Sequence, residues 1–163
     1  MADQCAIAQV EGNTQIEQVR ALFREYGASL GFSLCFQSFD AELAGLPGDY
    51  APPDGRLLLA LCDRAPAGCV ALRKLQDGIC EMKRLYVRPP FRGRGLGRDL
   101  VLTLIEQARL SLYPKMRLDT IAASMTEAVS LYRSLGFRDI VPYCSNPIPS
   151  AVYLELDLDS RDS

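Results

Sequence analysis

The sequence predicts a single α/β domain of the α+β kind. Three observations carry this. Arg56 to Val87 holds three apolar, strand-like runs joined by two short turns, the pattern of an antiparallel meander. Pro89-Pro90 stops the third run, and a loop rich in glycine and arginine then leads straight into an amphipathic helix. Around that centre the helical and strand periodicities alternate in the order β-α-α-β-β-β-α-β-α-β-β. The 163 residues suit one domain, 1–163, with a sizeable core.

Each element has its own signal. Ala6 to Val10 reads as a short strand. Thr14-Gln15-Ile16-Glu17 is a capping box, and Ile16, Val19, Leu22, Phe23 and Tyr26 follow at helical spacing as far as Gly27. Phe36 to Leu46 is a second helix, ended by Pro47-Gly48. Arg56 to Cys62 is a buried strand. Asp63 to Pro66 turns it into Gly68 to Leu75, and Gln76-Asp77-Gly78 turns that into Ile79 to Val87. Leu100, Val101, Leu104, Ile105 and Ala108 mark the helix after the loop, and Met116 to Ala122 is the next strand. Ser124-Met125-Thr126-Glu127 is another capping box, opening a helix that Gly136 closes. A short strand around Phe137 to Val141 follows, then a polar, proline-bearing loop from Tyr143 to Ser150. Ala151 to Leu158 is a last strand alternating apolar and acidic.

Composition excludes several classes of function. The net charge is −2, so no nucleic-acid partner is expected. No run reaches the roughly 18 apolar residues of a membrane span. Met1-Ala2-Asp3-Gln4 lacks the basic start of a signal peptide. The six cysteines, Cys5, Cys35, Cys62, Cys69, Cys80 and Cys144, form no C-x-x-C pair. The expectation is reduced, mostly buried thiols in a cytoplasmic protein. There is no histidine. That removes Ser-His-Asp and Cys-His catalysis and histidine-ligated zinc, and no metal is expected. Acid–base work falls to Glu, Asp, Tyr, Cys, Lys or the backbone.

The segment from Arg92 through Gly93, Arg94, Gly95, Leu96 and Gly97 to Arg98 holds the most chemistry. It presents backbone N–H groups at a helix N-terminus, where the helix dipole also favours negative charge. A phosphate or pyrophosphate is the natural guest. The spacing is G-x-G-x-G, not the G-x-G-x-x-G of a dinucleotide fold, and Arg98 stands where a Walker loop needs lysine. R-x-x-G-x-G does fit, from Arg92 through Gly95 to Gly97. Downstream, Ala128 to Phe137 reads A-x-x-L-Y-x-x-x-G-F.

Together these two segments resemble the GNAT superfamily of acetyl-CoA-dependent N-acetyltransferases. The resemblance covers about Arg56 to Phe137 well and the first half of the chain weakly. It implies a mixed, mostly antiparallel sheet of six to seven strands with helices on both faces. It implies acetyl-CoA as co-substrate, its pyrophosphate on the Arg92–Arg98 loop. The backbone of Leu85, Tyr86 and Val87 would pair with the pantetheine arm, and one of its N–H groups would face the thioester oxygen. The family often has Asn where this chain has Met125, so that pantetheine contact is in question.

Acetyl transfer to an amine needs a deprotonated amine, a polarised carbonyl and a proton for the leaving thiolate. Tyr132 is the candidate acid, because the family places a tyrosine there beside the coenzyme sulfur. Ala128, Leu131, Tyr132 and Leu135 share one helical face, so Tyr132 also suits a plain core position. Glu81 is the candidate base, eleven residues before Arg92, where some family members carry a catalytic glutamate. Strand alternation places Glu81, Lys83, Leu85 and Val87 on one face, and a Glu81–Lys83 ion pair is the simpler alternative. Cys144 lacks anything to activate it as a nucleophile.

The expected reaction is direct transfer, in a ternary complex, to a small and amino-acid-like amine. Leu30 to Phe39 and Tyr143 to Ser150, the expected acceptor side, hold little charge and would not suit a basic protein tail. Lys83 is placed to pair with a substrate carboxylate. The rivals are a non-catalytic acyl-CoA-sensing module of the same fold and a pyrophosphate-binding protein unrelated to coenzyme A. The oligomeric state stays open, a homodimer included.

Overall fold

A computed structural model describes residues 4–29, 39–121, 126–144 and 151–159. Its strands are β1 (Cys5–Gln9), β2 (Arg56–Cys62), β3 (Ala65–Gln76), β4 (Ile79–Val87), β5 (Lys115–Ile121), β6 (Arg138–Asp139) and β7 (Ala151–Asp157). They form one sheet in the order β1-β2-β3-β4-β5-β7-β6. Every neighbouring pair is antiparallel except β4 and β5. The helices are α1 (Gly12–Ser29), α2 (Phe39–Ala44), α3 (Leu96–Leu110) and α4 (Thr126–Ser134). The expected α+β class and the mixed, mostly antiparallel sheet are what is observed.

The apolar runs of the meander follow from helices on both sides. In β2, Leu58 and Ala60 face α3, where Leu100, Val101, Leu104 and Ala108 are buried against them. Leu57 and Leu59 face the other way, onto Val19, Leu22 and Phe23 of α1 and Leu43 of α2. A strand covered on both faces has no polar side to show, so its sequence loses alternation. Fully burying a side chain such as Leu104 contributes roughly 1.5–3 kcal/mol.

Several details differ from the sequence-based expectations. Helix α1 begins at Gly12, two residues before the capping box, and the Glu11 N–H donates to the Gln15 side chain at 2.8 Å. Gln15 therefore serves the helix start that Thr14 was expected to serve. Of the second helix, Phe39–Ala44 is seen; residues 36–38 lie outside the described residues, as do Ser124 and Met125. Cys5 and Cys62 form a disulfide, which corrects the expectation of reduced thiols throughout. They are direct partners in the β1–β2 register, with Cα atoms 4.0 Å apart. Cys69 and Cys80 are free and buried, as expected, and Cys144 is free and exposed.

The correction that matters most lies in β4. Lys83 pairs with Ala71, but Tyr86 pairs with Cys69, so β4 holds one residue more than β3 across that step. This is a β-bulge, and Arg84 sits in it with φ 63°. The extra residue reverses the alternation. Glu81 and Lys83 point to the α2 side, whereas Leu85 and Val87 pack into the α3 core. The four do not share a face. Left-handed backbone at a long side chain costs about 1–3 kcal/mol. Buried Arg84 offsets it by a two-pronged bond to Glu42, both contacts 2.8 Å, and by lying 5.1 Å from the Phe39 ring centre.

Candidate active site

Strands β4 and β5 pair only where Ile79–Glu81 meets Lys115–Arg117. Beyond that point β4 stays laddered to β3 as far as Val87, and β5 stays laddered to β7 as far as Ile121. The two central strands therefore part. The edge of Leu85, Tyr86 and Val87 that faces β5 has no strand partner among the described residues. A cavity of about 680 Å³ fills the gap. The loop after β4 closes one end, and Ala128, Leu131 and Tyr132 of α4 form part of its wall.

The loop has the backbone its glycines predict. Gly93 has φ 80° and Gly95 φ 79°, conformations a side chain rarely adopts. Gly95 is the N-cap of α3, and the Asp99 N–H bonds its carbonyl at 3.0 Å. The N–H groups of Leu96, Gly97 and Arg98 precede that first helical bond and are left for a ligand. Arg92 donates to the Val87 carbonyl at 2.8 Å and lies over the Tyr86 ring. Leu85, Tyr86, Val87, Arg92, Gly93, Gly95, Leu96 and Gly97 all line the cavity. Arg94 and Arg98 are exposed and do not line it; Arg94 lies over Phe91 and donates to the Pro90 carbonyl.

Tyr132 is a core residue that also reaches the cavity. It is 6% exposed, belongs to the α3 core with its ring 5.7 Å from Phe137, and also lines the cavity. Its hydroxyl has no hydrogen-bond partner among the described residues. Burial raises its pKa, so the hydroxyl keeps its proton and remains a donor.

Glu81 lies in a second cavity of about 450 Å³, on the α2 side of the bulge. It is 1% exposed. Arg73 Nε donates to Oε1 at 2.8 Å and the Tyr143 hydroxyl donates to Oε2 at 2.7 Å. Lys83 Nζ is 3.9 Å from Oε1. Glu81 is thus a buried, partnered carboxylate, and its principal cation is Arg73, not Lys83. Burial lowers the Lys83 pKa against the pull of Glu81. Burial, and then the Glu81 charge, raise that of Tyr143.

Residues 17–137 match the acetyltransferase (GNAT) family. The chain belongs to that family. It is 41% identical over 155 residues to an uncharacterised N-acetyltransferase of Schizosaccharomyces pombe, covering 94% of each chain. Among solved structures, a GNAT-family acetyltransferase from Staphylococcus aureus Mu50 superposes with a TM-score of 0.77 at 17% identity, covering 95% of this chain and 99% of that one. YncA of Salmonella typhimurium, a putative acetyltransferase solved with acetyl-CoA, gives 0.69 at 19% identity, covering 98% and 96%. The protein is an acyltransferase with the GNAT fold.

For a GNAT enzyme, the sequence overlooked one residue of note. Asp119 on β5 lines both cavities, and so does Lys83. Its signal was present: Met116, Leu118 and Thr120 are buried on one face of β5, which leaves Arg117 and Asp119 on the other. Arg73 and Tyr143 were not singled out as partners of Glu81, because contacts between distant segments leave no local pattern. Cys144 is pushed up to about 11 by burial and then by Asp119, 3.8 Å from its sulfur, so it is not an activated nucleophile. No helix among the described residues is long and apolar enough to cross a membrane.

Proposed function

We propose that this acyltransferase, acting as one domain, moves an acetyl group from acetyl-CoA directly to the primary amine of a small molecule. The observation that carries the reading is the parting of β4 and β5 beside a loop whose N–H groups are unspent. Acetyl-CoA supplies the acyl group in activated form, as a thioester. The N–H groups at the start of α3, with Arg92, hold its pyrophosphate. The open edge of Leu85, Tyr86 and Val87 takes the pantetheine amides as an added strand would. A backbone N–H of that edge polarises the thioester carbonyl.

Glu81 accepts the proton that the acceptor ammonium must lose, since an alkylamine is mostly charged near neutral pH. The nitrogen lone pair then forms the new C–N bond as the C–S bond breaks, and the nitrogen sheds its second proton to solvent. Tyr132 gives its proton to the departing sulfur and regains one from solvent. The smaller cavity, reached past Lys83 and Asp119, takes the acceptor, and its volume is that of a small-ligand site.

Release of the coenzyme thiol is measured with a panel of small amines and of lysine-containing peptides. Small amines should be acetylated and peptides left. Tyr132→Phe should lower kcat by about 10- to 100-fold with acetyl-CoA affinity nearly unchanged. An unchanged rate per folded molecule would leave Tyr132 a core residue only. Acetyl-CoA binding without transfer to any amine would favour the sensing module.

A further inference from the structure

The smaller cavity contains hydrogen-bond donors that the protein itself does not use. The Lys83 ammonium is 3.9 Å from its nearest carboxylate oxygen, beyond hydrogen-bond reach, and it bonds no described residue. Yet its side chain is only 12% exposed. Arg73 spends Nε on Glu81, and its two Nη groups donate to no described residue. Glu81, by contrast, is already served by Arg73 and by Tyr143. The Lys83 ammonium is thus the donor left over. Around the cavity, Lys83 and Arg73 face the carboxylates of Glu81, Asp119 and Asp49, while Glu42 is paired with Arg84. A largely buried ammonium with no bonded partner among the described residues, as at Lys83, is costly unless something accepts from it.

We propose that Lys83, with Arg73 beside it, holds a carboxylate of the acceptor, so that the acceptor is a free amino acid. The proposal rests on the acetyl-transfer reading and narrows its substrate class. Lys83 lines both cavities, so a carboxylate on its ammonium lies at their junction. In an α-amino acid one carbon separates carboxylate from amine. The amine is therefore held at the same junction, on the donor side. Asp119, which also lines both cavities, supplies negative charge for the incoming ammonium. A zwitterion thus meets charge of the right sign at each end. A plain alkylamine leaves Lys83 unserved, and a dianionic phosphate adds to the negative charge of Glu81, Asp119 and Asp49.

The test is equilibrium binding to the enzyme saturated with coenzyme A, where no turnover occurs. The probes are the common free amino acids, their α-amides and the corresponding decarboxylated amines. At least one amino acid should bind tenfold or more tightly than its amide and its decarboxylated amine. Lys83→Met should reduce that preference at least tenfold, and Lys83→Arg should restore part of it. Circular dichroism of each variant guards against loss of fold. Equal binding of acids and amides, a preference surviving in Lys83→Met, or no binding of any amino acid overturns the proposal. Thiol release with the same probes separates it from the parent reading. Carboxylate selectivity in binding with no transfer to any amine counts against acetyl transfer alone. Efficient transfer to carboxylate-free amines, with amino acids inert, counts against the carboxylate site alone.

Discussion

The two halves of β4, on either side of Arg84, do different work. Ile79 to Glu81 is laddered to β3 and to β5, and Glu81 and Lys83 project charge into the smaller cavity. Leu85 to Val87 is laddered to β3 alone; its free edge lines the larger cavity, while Leu85 and Val87 anchor it in the α3 core. One extra residue makes the difference. It turns a strand that would present one face along its length into a strand whose first half lines the smaller cavity and whose second half lines the larger. The bulge residue is held by a buried ion pair, so stability and site geometry depend on the same side chain.

Removing that pair is the harshest way to break the contrast. Arg84→Ala leaves Glu42 without its partner, and loss of one member of a buried pair costs about 3–5 kcal/mol. Urea unfolding should show that loss, and acetyl-CoA affinity in the surviving folded fraction should fall with it. A cost near zero would mean that the bulge is set by the rest of the sheet.

A finer probe asks whether the base is Glu81 of β4 or Asp119 of β5. Glu81→Gln should flatten the acidic limb of the pH–rate profile, with Asp119→Asn leaving that limb in place. The reverse outcome would move the base to the carboxylate that lines both cavities. The smallest expected effect lies at the far end of β4. Arg88, just beyond Val87, bonds Glu25 of α1 at 2.6 Å. That hydrogen bond, more than the bare charge, lowers the Glu25 pKa from its ordinary 4.5. A depressed carboxylate stabilises the fold above its ordinary pKa, and the contribution is lost as pH falls through the lowered native value. Both side chains are partly exposed, at 28% and 38%, so solvent screening limits the pair to roughly 1 kcal/mol or less. Glu25→Gln should remove that share of the acid sensitivity in thermal melts.

Much of this was legible in the residues, for reasons that differ by element. The meander, α3 and the loop rest on local rules: apolar periodicity, turn residues, and glycines where φ is positive. Gly93 and Gly95 do adopt the backbone their residue type suggests. The family resemblance then supplied sheet topology, which periodicity alone does not give. Arg84 was illegible, because arginine carries no signature of left-handed backbone and its partner Glu42 lies 42 residues away. Missing it misassigned the faces of Leu85 and Val87. The Cys5–Cys62 pairing depends on register between strands 57 residues apart, and no spacing rule reaches that far. Asp119 was within reach of strand alternation, but its importance comes from the parting of β4 and β5, a tertiary fact.

The proposed acetyl-CoA site is the Arg92–Arg98 loop together with the open edge of β4. Calorimetric titration of acetyl-CoA into the parent protein and into Gly95→Asp tests it most directly. Position 95 has φ 79° and open space around it, so the substitution adds backbone strain of about 1–3 kcal/mol and a negative charge beside the proposed pyrophosphate, without a core clash. Saturable one-to-one binding to the parent is expected, and at least a hundredfold weaker binding to the variant, with the far-ultraviolet circular dichroism unchanged. Undiminished affinity in a folded Gly95→Asp protein would contradict the proposed site.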